Sequence, residues 1–524
     1  LIAVFAFSAF TASAGAVTAP QVSTNWYQTC VLSDLGAVSC VGDNARRSLG
    51  DATVGKRDTY APVALSGPAS RLSAGEDSVC AVMADTSVQC WGHNNALQLG
   101  RGGVSTADEA TPAAVQQNGG GVLTGVKQLS GQDATYCAVK VDETLWCWGD
   151  NGDHQLADST TSDSSVAKQI PGLTGVTKVA TGDNHVCAIV TAGDVYCWGY
   201  NSSGQVGDGT TDPVQTPKKL DGISGAVDIG AGDTFTCATV SDGTLKCWGS
   251  DGDGQQGNGS ASGTEVLTPS TVPGITGVIQ LAVGYESVCT LDQARNLSCW
   301  GYNGDNQVTA ANTDDVTSPM VVPGAAGAVA VAEQWDETPC TLRRGGGIRC
   351  WGNNSHAQAG VANSLAAVTV PTDIAGVDLV TQPWAAASAK LARVGKPKLD
   401  RKRKNYTVVT SATIAPNLYV LPAEACTGSV GASAVYTYYV KKRVKVKGKT
   451  KIKRIKKKKT YKAKGAIAIS GENCMTDVAL KLPVKQFAGK KVKITQTTTA
   501  NGSLTATTAS VTVKLAKVKK KKKK

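Results

Sequence analysis

A pair of cysteines ten residues apart recurs seven times in this 524-residue chain, and six of the seven second cysteines open the tripeptide Cys-Trp-Gly. The first members are Cys30, Cys80, Cys137, Cys187, Cys237, Cys289 and Cys340. The second members are Cys40, Cys90, Cys147, Cys197, Cys247, Cys299 and Cys350. A period of about 50 residues is the mark of stacked or radially arranged units. With Cys426 and Cys474, the pairs account for all 16 cysteines.

The fifth copy gives the local structure. Two short strands flank Ser241-Asp242-Gly243, whose glycine suits the left-handed position of a tight hairpin loop. If Val240 faces Thr244, then Thr239 faces Leu245, Ala238 faces Lys246, and Cys237 faces Cys247. Directly opposed side chains on neighbouring strands stand close enough for a disulfide. Seven hairpin disulfides are therefore expected, each contributing roughly 2 to 3 kcal/mol in the chain-entropy model before any strain. Zinc is disfavoured by the spacing, and His93, His154, His185 and His356 share no repeat position. Reduced, buried thiols are the other reading.

Upstream of each hairpin lies another apolar strand, as in Gly225-Ala226-Val227-Asp228-Ile229-Gly230. Three or four short strands cannot bury their own faces, but blades around an axis can, so a β-propeller is expected. Trp91, Trp148, Trp198, Trp248, Trp300 and Trp351 recur at one repeat position. Regular aromatic placement of this kind reads as core.

The run from Cys187-Ala188-Ile189-Val190 through Cys197-Trp198-Gly199-Tyr200-Asn201-Ser202-Ser203-Gly204-Gln205-Val206-Gly207 resembles the regulator of chromosome condensation repeat. That resemblance implies a seven-bladed propeller over residues 17–392, of the secreted, disulfide-containing bacterial type. It departs in the first copy, which reads Cys40-Val41-Gly42. The resemblance also implies a protein-binding scaffold, as in a secreted bacterial inhibitor of β-lactamases. It carries one alternative, guanine-nucleotide exchange on a small GTPase.

After the seventh copy, Gly376 to Trp384 repeats the strand that opens the other units, and it is expected to complete the first blade and close the ring. Where middle copies carry Gly, usually followed by Asp, Glu or Gln, the ends of the array carry Trp26 and Trp335, and the partial unit carries Trp384. A tryptophan cluster at the seam is the nominated partner-binding site, with a structural plug as the bland reading. The Gly-rich stretch Gln116-Gln117-Asn118-Gly119-Gly120-Gly121 is a second candidate surface, or simply a flexible loop. Ser250-Asp251-Gly252-Asp253-Gly254 looks like the front of a calcium loop but lacks the closing Glu. No Ser, His and acid cluster falls in a catalytic motif, and hydrolysis of wall glycans would need a paired-carboxylate cleft. No enzyme activity, cofactor or metal is expected.

Charge divides the chain. Residues 1–395 hold 19 Lys plus Arg against 37 Asp plus Glu, a net of −18, whereas residues 396–524 hold 34 against 4, a net of +30. Such asymmetry assigns the basic part an anionic surface or polymer. The apolar start Leu1 to Phe10 followed by Ala12-Ser13-Ala14 reads as the core and cleavage site of a signal peptide. The sequence is expected to lack its first few residues, since no basic leader or initiator Met precedes this run. No segment approaches the roughly 20 apolar residues of a membrane-spanning helix.

The basic part contains strand-like runs such as Val435-Tyr436-Thr437-Tyr438-Tyr439-Val440 and Lys491-Val492-Lys493-Ile494-Thr495. These suffice for a small β-sandwich stapled by Cys426 and Cys474, which in strand count and single bridge resembles an immunoglobulin-like module. Residues 441–459 hold 13 basic residues in 19. Lys441, Lys442, Arg443, Lys445, Lys447, Lys449, Lys451, Lys453 and Arg454 are the candidate anion-binding residues. Alternation of Lys with Val or Ile suggests a long hairpin with one partly apolar and one cationic face. Lysines that merely guard a sheet edge are the bland reading.

The sequence thus implies an all-β protein: a signal peptide (1–16), a seven-bladed propeller (17–392), a basic linker (393–404), a β-sandwich with a Lys-rich hairpin (405–518) and a Lys tail (519–524). The expected function is non-enzymatic binding by an exported, extracellular or cell-surface monomer. Its propeller loops would recognise an unknown protein partner, and its basic domain would adhere to an anionic cell-wall polymer or other polyanion.

Overall fold

The computed structural model describes residues 19–332, 338–343, 346–361 and 367–379 in full, together with the backbone of strands between 389 and 514. The chain divides into two units, the first ending at Thr381 and the second beginning at Gln382. The proposed signal peptide, the Lys tail, Trp335, Trp384, Cys426 and Lys447 lie outside the described residues.

In the first unit, each repeat forms one four-stranded antiparallel sheet with its strands in chain order. The seven sheets span residues 21–62, 69–114, 126–169, 176–219, 226–271, 278–321 and 328–373, here blades 1 to 7. The first strand of each blade lies against the first strand of the next, and that of blade 1 lies against that of blade 7. These seven strands therefore line the axis of a seven-bladed β-propeller.

The hairpin register is the one that the Ser-Asp-Gly loop dictates. Thr239 pairs with Leu245, Ala238 with Lys246 and Cys237 with Cys247. All seven expected cysteine pairs are disulfide-bonded, with Cα atoms 4.1 to 4.2 Å apart. Only the backbone of Cys474 is described, so the eighth bridge lies outside the described residues.

The glycine of Cys-Trp-Gly serves a close approach. Gly199 has φ +110°, and a Cβ there would stand 2.6 Å from the carbonyl oxygen of Asn184 and 2.7 Å from Cα of His185. Only glycine tolerates both the angle and the contact. Beside it, the third-to-fourth strand register shifts between Cys197 and Gly199, so Trp198 pairs with Val186 of the second strand but has no partner on the fourth.

Every tryptophan at this position is core, at most 1% exposed. Each also bolts two blades together. Trp198 donates its indole N–H to the carbonyl of Gln155 at 2.8 Å, Trp248 to that of Gln205 at 3.0 Å, and Trp300 to that of Gln255 at 3.0 Å. Trp91, Trp148 and Trp351 reach Ser48, Gln98 and Gln307 in the same way at 2.7 to 2.9 Å. A large apolar body with one polar tip can fill the space between blades while satisfying a turn carbonyl.

Ring closure differs from the sequence expectation. The inner place of blade 1 is taken by its own strand Gln21–Thr24, which pairs with Gln28–Leu32. The stretch after blade 7 acts instead as a clasp: Leu379 donates its N–H to Gly346 at 3.0 Å and accepts one from Asp34 at 2.8 Å. In blade 4 the corresponding residue, Gly175, accepts from Thr191 at 2.7 Å at the start of the inner strand. The tail thus supplies the start of the first inner strand, and the chain's own N-terminal segment supplies the body.

The second unit forms two antiparallel sheets. In one, Asn405–Ile414 and Asn473–Pro483 pair centrally. In the other, Ser429–Val446 and Lys449–Ala466 form a hairpin of 18 paired positions, with Lys491–Thr498 and Thr508–Lys514 beside it. That hairpin corrects the one-faced expectation. Lysine alternates with an apolar residue only in places, and the consecutive cations at Lys441-Lys442-Arg443, Lys453-Arg454 and Lys456-Lys457-Lys458-Lys459 fall at register positions of both parities.

Candidate functional site at the axial mouth

The turn between the first and second strands of each blade lies at one end of the axis. Four residues before the first cysteine, successive blades place Trp26, Glu76, Asp133, Asp183, Asp233 and Tyr285 there. Four blades in a row therefore contribute a carboxylate, and an aromatic residue stands at each end of that arc.

In blades 2, 4, 5 and 6 a glycine one position earlier lets these turns nest. A Cβ on Gly182 would stand 2.6 Å from the carbonyl of Gly232, and one on Gly232 would stand 2.7 Å from that of Gly284. Backbone bonds tie the nested turns together: Glu76 N–H to Asp133 O at 3.1 Å, Asp183 N–H to Gly232 O at 3.2 Å, and Asp233 N–H to Tyr285 O at 3.0 Å. In blade 1, Asn25 replaces the glycine and donates its amide to Gly75 O at 2.5 Å. The belt holds each functional side chain on a tight, hydrogen-bonded turn between two strands rather than on a free loop.

The carboxylates raise one another's affinity for protons. Burial pushes Asp77 up to about 7, the charge on Glu76 adds to this, and Arg46 opposes it. Burial likewise pushes Glu286 up to about 7, helped by Asp253, Asp233 and Asp315. Asp133 is raised by burial and then by Glu76, and Asp183 by burial and then by Asp133 and Asp233. Asp233 is raised by burial against hydrogen bonds from Tyr285 and Asp183. Among the described residues, no ion pair joins a Lys or Arg to Glu76, Asp133, Asp183 or Asp233. At the rim, Arg46 stands 4.0 Å from Asp77 and 3.8 Å from Asp108.

An aromatic group closes the arc. Trp26 stacks on Tyr27 with centroids 5.8 Å apart and planes at 12°, and lies 6.3 Å from Tyr285 at 45°. Tyr27 meets His356 edge-on at 4.7 Å. Trp26, Tyr27 and Tyr285 are half-buried. A mouth with carboxylates on one side and aromatic faces on the other is suited to an organic cation, through ion pairing and cation–π attraction. Among the described residues, no group of three or more His, Cys, Asp and Glu has the geometry to hold a metal ion.

Of the three nominated tryptophans, the structure places Trp26 at this mouth, whereas Trp335 and Trp384 lie outside the described residues. Trp26 also belongs to the joint between blades 7 and 1, where its carbonyl accepts from Gln358 Nε2 at 3.4 Å. The Gly-rich stretch bridges outward, with Gln117 pairing in parallel with Ala167. Asp251, in the calcium-like stretch, is committed to Asn258, which donates to it at 2.7 Å. The acidic arc itself was not nominated from sequence. Its signal was present as Asp or Glu four residues before the first cysteine in four successive copies.

Models of the regulator of chromosome condensation repeat match residues 142–189 and 192–239, and a second model of the same repeat matches 176–205 and 226–255. Residues 142–255 therefore carry regulator of chromosome condensation repeats. No protein of curated function matches it in sequence. Among solved structures, yeast RCC1 (Prp20) bound to Kap60 is similar with a TM-score of 0.58 at 18% identity, over 69% of this chain and 85% of that one. Prp20p from Saccharomyces cerevisiae, described with its binding properties to Gsp1p and histones, gives 0.58 at 20% over 67% and 87%. Human WBSCR16 gives 0.57 at 20% over 67% and 96%. At this identity the likeness is one of fold. The seven disulfides within these repeats fit an oxidising compartment, and no helix of the described residues is long and apolar enough to cross a membrane.

Proposed function

We propose that this protein is a non-enzymatic, exported recognition scaffold that acts outside the cell or at its surface as a monomer. The propeller's axial mouth receives a Lys- or Arg-bearing segment of a protein partner. The basic C-terminal unit, read as a β-sandwich, adheres to an anionic polymer. One observation carries the first part: Glu76, Asp133, Asp183 and Asp233 converge without a cationic partner among the described residues, beside Trp26 and Tyr285. Clustered buried carboxylates repel one another, and a bound cation is the ligand that relieves the repulsion.

The test is titration of the full chain with fluorescent peptides of equal length bearing Lys and Arg, Gln, or Glu. Preferential binding of the cationic peptide, weakened about tenfold or more by Asp183→Asn with Asp233→Asn, is expected. Equal binding of all three peptides would reject the mouth as a cation site.

Guanine-nucleotide exchange is the second reading, and its support is the fold shared with Prp20p, whose structure is described with binding to Gsp1p and histones. Release of labelled GDP from a small GTPase, measured with and without this protein, separates the two. Catalysed release favours exchange, and an unchanged rate favours the scaffold.

A further inference from the structure

The long hairpin of the second unit is only partly supported by its sheet. Strand Ser429–Val446 pairs with Lys491–Thr498 at Val430 to Ala434 alone, whereas it pairs with Lys449–Ala466 along its whole length. Strand Lys449–Ala466 is the sheet's edge. From Val435 and Thr460 outward, the two strands have only each other as described ladder partners. At about 3.4 Å per residue, this two-stranded arm extends about 40 Å.

Its register distributes charge evenly. Lys442, Lys449, Lys451, Lys453, Lys457 and Lys459 fall on one face, and Lys441, Arg443, Lys445, Arg454, Lys456 and Lys458 on the other. Lys442 stands directly opposite Lys453, and Lys441 opposite Arg454. Like charges in facing positions destabilise a ladder, and an isolated hairpin is marginal in water. Guarding an edge against aggregation needs only a few such residues.

A flat anionic surface would meet one face of the arm and leave the other six cations unneutralised. Chains of a flexible polyanion can lie along both. Alternate residues of a strand recur about every 6.8 Å, close to twice the ~3.4 Å axial spacing of phosphates on one nucleic-acid strand. A lysine ammonium also acts on phosphate as a point charge and needs no bidentate geometry. Resting on the polyanion-binding reading above, we propose that residues 435–446 and 449–460 form a two-faced clasp that engages two phosphodiester chains at once and bridges them.

The experiment uses the full chain with two non-complementary oligothymidylates, one immobilised and one fluorescent, and scores both binding to the first and capture of the second. One variant carries Lys442→Gln, Lys449→Gln, Lys451→Gln and Lys453→Gln. The other carries Lys441→Gln, Arg443→Gln, Lys445→Gln and Arg454→Gln. Circular dichroism and light scattering check that each is folded and monomeric.

The clasp requires that the parent protein bridges. Each variant should still bind the immobilised strand, with the slope of log K against log salt reduced by about 3, while capture of the second strand falls at least tenfold. Binding abolished by one variant and untouched by the other, or bridging unaffected by both, would overturn the clasp and leave polyanion binding standing. Parent protein that binds anionic phospholipid vesicles but not the oligonucleotide would assign the arm to a flat surface and also overturn it. Binding to none of these probes would overturn the polyanion reading itself. Repeating the assay with glycerol-phosphate polymer distinguishes a wall polymer from nucleic acid as the source of phosphodiester.

Discussion

Asn258 donates its side-chain amide to Asp251 at 2.7 Å, the reverse of the preceding blade, where Asn201 donates to Asp208 at 3.3 Å. Both pairs perform the same task. The first member accepts the backbone N–H five residues on, from Val206 in one blade and Gln256 in the other. The second closes the loop after Cys-Trp-Gly. Exchanging the partners preserves one amide donor and one carboxylate acceptor, so the fifth blade keeps its turn with the charge moved inward. Asp251 is 2% exposed.

Asn258→Asp alone would set two carboxylates against each other and should cost about 2 kcal/mol. Adding Asp251→Asn should recover most of that, because the pair then matches Asn201 and Asp208. Urea unfolding of both single variants and the double variant gives the coupling energy. Additive effects would mean that the two residues do not act as a pair.

The axial carboxylates make a prediction about pH. Asp77, at 3.8 in its ordinary state and about 7 here, binds more protons when folded than when unfolded between those values. Glu286 behaves likewise from 4.5 to about 7. Stability contributed by this end of the ring therefore falls as pH rises through that window. Melting temperature should decline from pH 5 to pH 8, and Asp183→Asn should flatten that decline and add on the order of 1 kcal/mol of stability at pH 8. A variant that melts at the parent temperature at pH 8 would show that these groups do not repel.

Each hairpin disulfide closes a short loop within one blade. Replacing Cys237 and Cys247 together by Ser should destabilise the propeller by roughly 2 kcal/mol. The other blades' registers do not depend on that bridge, so the fold is expected to survive. Thermal unfolding measures the loss, and mass analysis after alkylation without reductant should find the remaining ring cysteines unreactive.

What could be read from the sequence follows from distance along the chain. The hairpin register was legible because Cys237, the Asp242-Gly243 turn and Cys247 lie within eleven residues, and one turn geometry fixes every pairing between them. Trp248 was legible as core from its recurrence, but its bond to Gln205 was not, since it crosses to another blade. The acidic arc was hidden for the same reason. Asp133, Asp183 and Asp233 each look like an ordinary turn residue, and only the ring makes residues about 50 apart neighbours. Closure misled because Gly376 to Leu379 begins like an inner strand, yet Gln21–Thr24 already occupies that place.

One joint of the ring lacks the bolt that fastens the rest. Blades 2 to 7 each donate an indole N–H to the blade before, but blade 1 carries Val41 at that position, so none crosses from blade 1 to blade 7. Contacts at this joint among the described residues include Lys56 Nζ to Ser355 O at 2.5 Å, Gln358 Nε2 to the Trp26 carbonyl at 3.4 Å, His356 Nδ1 within 3.5 Å of Asp43 and edge-on to Tyr27, and the Leu379 clasp. The Lys56 bond is exposed, so water competes for it. Opening should begin here. Amides of Gln28–Leu32 should exchange with solvent faster than those of His185–Val190, the matching strand of blade 4. Trp198→Phe, which strips one bolt and leaves the Gln155 carbonyl unpaired, should cost about 1 to 3 kcal/mol and bring blade 4 toward the exchange rate of blade 1. Equal protection of both strands in the parent protein would mean that the clasp fully replaces the missing indole.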